Sequence, residues 1–215
     1  MTLSADLFWS FRSPYSYLAI GRYRALAASH DVDIHVRPVY PLAIRQPDFF
    51  ERNHPNWLRY TMLDMRRVAE FHGIDFGPPR PDPIVQDVRT RRIAEDQPYI
   101  YRLTRLGQAA ARRDKSLEFC FRVGALIWGG AADWHLGDHL AQAAAQAGLD
   151  LVELDAEVER EAEALDQEIG GNQAALEAGG HWGVPTLIFN GEPFFGQDRF
   201  DLAKWRMEQK GLLPR

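Results

Sequence analysis

The sequence contains one cysteine, Cys120, among 215 residues. A single thiol cannot form an intrachain disulfide, a Cys-x-x-Cys redox pair or a multi-thiolate zinc site, so thiol chemistry requires a thiol carried in by a ligand. Long apolar runs are missing as well. No window approaches the roughly 18 uninterrupted apolar residues of a membrane span, and Met1-Thr-Leu-Ser-Ala-Asp6 lacks the basic start and apolar stretch of a signal peptide. A cytoplasmic protein with no membrane partner is expected. A concentrated basic face is also lacking, and the formal net charge is −5. Nucleic acid is therefore not the expected partner, whereas a small soluble ligand is.

Apolar residues at 46% and charged residues at 26% are ordinary globular values, enough for a sizeable core in one large domain or one domain carrying an insert. There is no internal repeat. Leu7-Phe-Trp9 reads as a buried strand, and Ser13-Pro14 supplies an N-cap followed by proline at the first helical position, predicting a helix over 14–29. Asp33-Ile-His-Val-Arg37 alternates and ends at Pro38, as a strand does. Residues from about 44 to 165 change character. Helical stretches are predicted over 57–71, 97–112 and 117–128 and again after Asp138, with a proline-rich loop, Gly77 to Pro83, after the first.

An acidic helical region over 152–178 stops at Gly179-Gly180, and 184–190 reads as an apolar strand. Asn190-Gly191 signals a hairpin, because both central residues of a type I′ turn need positive φ. Phe194-Phe195 is the returning strand. A final helix is expected over 199–210, with Asp198 at its start and Asp201 supporting its first turn. Strand, helix, strand, a long helical interruption, then helix, hairpin and helix resembles the thioredoxin-like order. The fold class is thus α/β, a thioredoxin-like domain with a large all-helical insert: residues 1–43 and 166–215 form the former and 44–165 the latter.

In that topology the loop before the first helix presents a reactive group at the helix N-terminus, where the macrodipole favours an anion. Thiol oxidoreductases place Cys-x-x-Cys there; here the corresponding residues are Ser13 and Ser16. A serine carries no electrons but hydrogen-bonds a thiolate. Read alone, Ser13 is better taken as a plain N-cap. Gly183-Val-Pro-Thr186 resembles the cis-proline loop beside thioredoxin-like active sites, which offers the Val184 amide and carbonyl to a peptide-like ligand; the alternative is an ordinary trans proline at a strand entry. At Gly196-Gln-Asp-Arg199, helix donors can take a ligand carboxylate and Asp198 a ligand ammonium, unless Asp198 merely caps the helix and pairs with Arg199.

Ser-Pro-Tyr-Ser-Tyr-Leu at 13–18, His-Trp-Gly-Val-Pro-Thr at 181–186 and Phe-Phe-Gly-Gln-Asp-Arg at 194–199 together resemble the 2-hydroxychromene-2-carboxylate isomerases and their relatives, the kappa-class glutathione transferases. The resemblance spans most of the chain. It implies bound glutathione as cofactor, a homodimer, and a small aromatic substrate. By the same resemblance Ser13 faces the thiolate, Val184 and Pro185 hold the cysteinyl backbone, and Gln197 and Asp198 hold the γ-glutamyl end. Asn53, in Arg52-Asn-His-Pro55, is similar to the family's glutathione-contacting asparagine, though the neighbouring spacing differs. The first lysine is Lys115, so cationic contacts from the early insert fall to Arg45, Arg52 or Arg59.

The expected activity is isomerisation of an aromatic α,β-unsaturated 2-oxo acid by reversible thiolate addition, with catalytic Ser13 and a pocket lined by Phe11, Tyr15, Trp57 and Tyr60. The alternatives are a kappa-like transferase that releases the conjugate and a non-enzymatic protein that holds peptides on its cis-proline surface. No metal site is expected. His135 and His139 are spaced i, i+4, but Gly137 weakens a helix between them and no HExxH glutamate is present, so they read as polar surface. Arg89, Arg91 and Arg92 read as exposed surface, and Cys120, between Phe119 and Phe121, as a buried structural thiol.

Overall fold

The computed structural model describes residues 2–87 and 89–215. Strand β1, Leu3–Trp9, buries Leu7, Phe8 and Trp9 and ends at the loop that leads into helix α1, Pro14–Ser29. Ser13 caps that helix from an extended conformation (φ −94°, ψ 111°), its hydroxyl accepting the Ser16 N–H. Strand β2, Val32–Pro38, points Val32, Ile34 and Val36 inward and Asp33 and His35 outward, the period-two pattern of a half-buried strand.

The middle of the chain is helical. Two short helices, α2 (Leu42–Arg45) and α3 (Phe49–Arg52), precede α4 (Pro55–His72), α5 (Ile100–Ala111), α6 (Ser116–Trp128) and α7 (His139–Gln146). The acidic region read as one helical stretch is two helices, α8 (Leu151–Arg160) and α9 (Ala162–Ala178), because Glu161 between them leaves helical geometry (φ −124°, ψ 26°). Helix α9 runs unbroken through residues 165 and 166. Strand β3, Thr186–Phe189, and strand β4, Glu192–Phe195, then form the hairpin, with Asn190 at φ 50° and Gly191 at φ 79° as a type I′ turn requires. The last helix, α10, is Phe200–Glu208, shorter than the predicted 199–210 because a 3-10 turn over Gln197–Arg199 precedes it.

The four strands lie in the order β2-β1-β3-β4. β1 and β2 are parallel across α1, whereas β3 is antiparallel to both β1 and β4. This is the thioredoxin-like sheet, and it brings the β1–α1 loop beside the loop that enters β3. One continuous core joins Leu7, Trp9 and Leu187 of the sheet to Leu103, Phe119 and Ile127 of the helical middle. Paired charges hold the outer helices together. Arg102 meets Asp155, Arg105 meets Asp166, and Arg112 meets Glu157, Glu161 and Glu168, tying α5 to α8 and α9. Among the described residues no helix is long and apolar enough to cross a membrane.

Candidate functional site

The site begins at Ser13. Its hydroxyl accepts the Ser16 N–H at 3.2 Å and donates to the Val184 carbonyl at 3.3 Å, so one side chain joins the α1 N-terminus to a loop 171 residues away. Ser16 is fully buried, and its hydroxyl has no partner among the described residues. The Val184–Pro185 peptide is cis. Three hydrogen bonds fix the loop: the Gly196 N–H donates to the Pro185 carbonyl (2.9 Å), the Thr186 hydroxyl to the Gly183 carbonyl (2.7 Å), and the Gly183 N–H to His181 Nδ1 (2.9 Å). Glycine at 183 lets the Phe195 ring pack against the loop, because a Cβ there would lie 2.7 Å from that ring and displace it. The Val184 N–H bonds no described residue.

Gln197 and Asp198 follow β4. The Gln197 carbonyl accepts from Arg22 at 3.4 Å, and the Asp198 carboxylate, exposed, lies 2.6 Å from Arg199. Asp198 makes no capping bond, since the 3-10 turn takes the place of a first helical turn, and Asp201 pairs with Arg22. Both Gln197 and Asp198 border an open cavity of about 350 Å³ between α1 and α4, with Arg67 and Phe71 on its other side. A cavity of about 710 Å³ lies along β2, but neither Ser13 nor Val184 lines it.

The four residues expected to line a substrate pocket part company. Phe11 is 0% exposed and belongs to the core, a correction with a clear cause: its ring packs edge-on against Trp9 (4.5 Å) and Phe119, and its carbonyl accepts from Trp128 Nε1. Gly107 on α5 leaves the room for that ring, since a Cβ there would lie 2.9 Å from it. Tyr15 donates to Asp64 at 2.6 Å, and burial and Asp64 together push its phenol far above the usual range. Tyr60, exposed, reaches the other oxygen of Asp64 at 3.4 Å. Trp57 stands apart with Phe49 and Phe50. Asn53 closes α3, donating its amide to the Phe49 carbonyl at 2.7 Å.

Sequence reasoning missed Asp64, which links α1 to α4, and named Arg45 only as one of three candidate cationic contacts of the early insert. The Arg45 guanidinium donates from Nε to the Tyr40 carbonyl (2.6 Å) and from both Nη atoms to the Trp182 carbonyl (3.1 Å). Burial lowers it to about 10, against the pull of Glu177. Neither contact has a local signal, because both acceptors are main-chain carbonyls on other elements. His181 stacks on Phe195 at 3.9 Å, and burial holds its imidazole below the ordinary range.

Cys120 is fully buried in α6, and burial pushes its thiol well up, the state of an inert structural cysteine. His135 precedes α7 and packs edge-on against Tyr99 and Trp134, so it does not share a helix with His139. Arg91 donates to the Phe50 and Asn53 carbonyls. Among the described residues no group of three or more His, Cys, Asp or Glu side chains is placed to hold a metal ion.

The arrangement is a helix N-terminus and a cis-proline backbone facing each other across a serine hydroxyl. It can hold a thiolate and a peptide-like backbone, but it cannot exchange a disulfide of its own. The same architecture is seen in solved structures. A 2-hydroxychromene-2-carboxylate isomerase superimposes with a TM-score of 0.67 at 21% identity, over 96% of this chain and 95% of that one. A probable DsbA oxidoreductase from Streptomyces coelicolor gives 0.68 at 14% identity, over 96% and 89%. The cytosolic disulfide reductase DsbM from Pseudomonas aeruginosa, solved with GSH, gives 0.60 at 15% identity, over 97% and 100%. No curated protein matches the sequence. The model of the DSBA-like thioredoxin domain matches residues 5–208. By that match across nearly its whole length, the chain belongs to the DsbA-like thioredoxin domain family.

Proposed function

We propose that this chain is a glutathione-dependent isomerase of an aromatic α,β-unsaturated 2-oxo acid, of the 2-hydroxychromene-2-carboxylate kind. The observation that carries the reading is the Ser13 hydroxyl, set between the α1 N-terminus and the Val184 carbonyl in a chain with no cysteine at either position of the motif. The site residues suit glutathione. The unused Val184 N–H and its carbonyl match the cysteinyl backbone, and the exposed Asp198 carboxylate beside an open cavity matches the γ-glutamyl ammonium.

Bound glutathione supplies a thiol that adds reversibly to a conjugated carbon, so that a former double bond can rotate before the thiol leaves. The residues of the chain do the rest. When glutathione binds, the Ser13 hydroxyl turns its one hydrogen from the Val184 carbonyl to the sulfur, and the α1 dipole favours the sulfur's negative charge; a thiol near pKa 8.5 is mostly protonated at neutral pH without such help. Pro185 keeps Val184 turned toward the ligand, and Gln197 with Asp198 orients the γ-glutamyl end. Asn53 contributes its side-chain oxygen, which accepts from no described residue. Tyr15 and Tyr60, which share Asp64, face the aromatic substrate from one side and Trp57 from another, while Phe11 stays in the core. The protein acts in the cytoplasm as a homodimer, and the exposed apolar residues Leu58, Met62 and Leu63 of α4 support the dimer.

Calorimetric titration with reduced glutathione tests the first half. Binding is expected, and Asp198→Asn should weaken it about 10–100-fold, the scale of a charged hydrogen bond. Isomerisation of the 2-oxo acid assayed with and without the thiol tests the second half. Turnover that is independent of glutathione would sink the mechanism, and accumulation of a stable conjugate would make the protein a transferase.

A further inference from the structure

A row of rings crosses the boundary between the sheet and the helical middle. Phe195 and His181 stack at 3.9 Å, and His181 stacks on Trp182 at 5.5 Å with 15° between the planes. Trp182 meets Phe49 at 6.0 Å, and Phe49 meets Trp57 at 5.7 Å, both edge-on. Rings that only filled a core would be shielded, yet Trp57 is 38%, Phe195 44% and Trp182 45% exposed. The middle of the row adjoins the cis-proline loop, because Trp182 lies two residues before Val184, whose carbonyl meets Ser13.

Arg45 lies against the middle of this row. Its three contacts are all to neutral carbonyls, and it has no ion pair among the described residues. Each Nη carries two N–H bonds, so one on each remains for a further acceptor. A half-buried cation with spare donors and no ion pair, drawn by Glu177 only from a distance, suits a ligand that brings a flat apolar face and an anion together.

We propose that the Trp182 row and Arg45 form the subsite of the second substrate, with Arg45 selecting a carboxylate attached to a flat aromatic frame. The inference rests on the glutathione reading, which requires a second substrate near Ser13. It moves the centre of the pocket from Tyr15 and Tyr60 to Trp182, and it makes Arg45 a specificity-determining residue. Charge-matched recognition here needs no lysine, which the first 114 residues lack.

Two probes of equal shape separate the roles: 2-naphthoate and the neutral 2-naphthalenemethanol, each titrated by calorimetry into the full chain. The wild type should bind the acid about tenfold more tightly than the alcohol, as one charge-assisted hydrogen bond implies. Trp182→Ala should weaken both about tenfold. Arg45→Met should weaken the acid about tenfold and leave the alcohol unchanged, while Arg45→Lys keeps part of the preference. Equal wild-type affinities for the two probes, or equal loss of both in Arg45→Met, would overturn the inference by reducing Arg45 to a clamp on Trp182. If Arg45→Met fails to fold, the wild-type preference and Arg45→Lys decide the question. A parallel glutathione titration keeps the two ideas apart. Naphthoate binding without glutathione binding overturns the thiol reading alone, and glutathione binding without a naphthoate preference overturns the subsite alone.

Discussion

The sheet and the helical middle are closed by different forces. Around Ser13 and Val184 the closure consists of hydrogen bonds to main-chain groups: Ser13 to Val184, Gly196 to Pro185 and Thr186 to Gly183. In the middle, α5 is held to α8 and α9 by arginine–carboxylate pairs, with Arg112 gripping Glu157, Glu161 and Glu168. A loop held through its own backbone stays in place when the ligand's charge changes. A bundle held by ion pairs responds to pH and salt. The candidate site thus sits where main-chain hydrogen bonds, not ion pairs, hold the loops.

The largest effect should come from attacking the core. Phe11→Ala removes a fully buried ring and should destabilise the fold by about 3–5 kcal/mol, read from urea unfolding. A loss below about 1 kcal/mol would return Phe11 to the pocket wall. Next, Arg112→Leu strips three carboxylates of a partner and leaves the 7%-exposed Glu157 side chain with Arg113 alone, at a cost of about 2–3 kcal/mol at neutral pH. Arg112 is the main reason Glu168 titrates below its ordinary 4.5, so this stabilisation is present above that value and fades as the pH falls below it. Wild type and variant should therefore converge in stability in acid, and a constant gap from pH 7 to 3 would contradict the ion-pair account.

Ser13→Ala probes the other side of the comparison. Losing one hydrogen bond to a charged sulfur should raise the bound thiol's pKa by about 1–2 units and slow the neutral-pH rate about 10–100-fold, with about 1 kcal/mol lost from the helix cap. Ultraviolet titration of bound glutathione measures the shift; superimposable curves would reduce Ser13 to a cap. The smallest effect belongs to Cys120→Ser. It places a hydroxyl in a fully buried site, should lower stability by about 1–2 kcal/mol, and should leave glutathione affinity unchanged. Loss of binding in a folded Cys120→Ser protein would give the thiol a role that its burial denies.

Local chemistry made much of this architecture readable in one dimension. Ser13-Pro14 starts a helix because the capping oxygen and the fixed proline φ act within one turn, and Asn190-Gly191 turns a hairpin because both residues tolerate positive φ. The strand β2 is visible in its alternation. Side-chain destinations were not readable in the same way. Phe11 and Tyr15 flank the same motif, yet one is swallowed by the core through the space above Gly107 and the other is drawn to Asp64 on α4. The break at Glu161 was hidden inside a stretch that is helix-forming on both sides.

The sequence by itself determined most of the chain of elements, the serine in place of a reactive cysteine, and that any thiol chemistry would need a borrowed thiol, since each depends on residue type or on neighbours a few positions apart. Only the tertiary structure decided that Ser13 bonds Val184, that Asp64 joins Tyr15 to Tyr60, and that Arg45 bonds the Trp182 carbonyl. Those contacts pair groups 171, 49 and 137 positions apart. Their partners are chosen by how the helices pack on the sheet, and no local propensity encodes that packing.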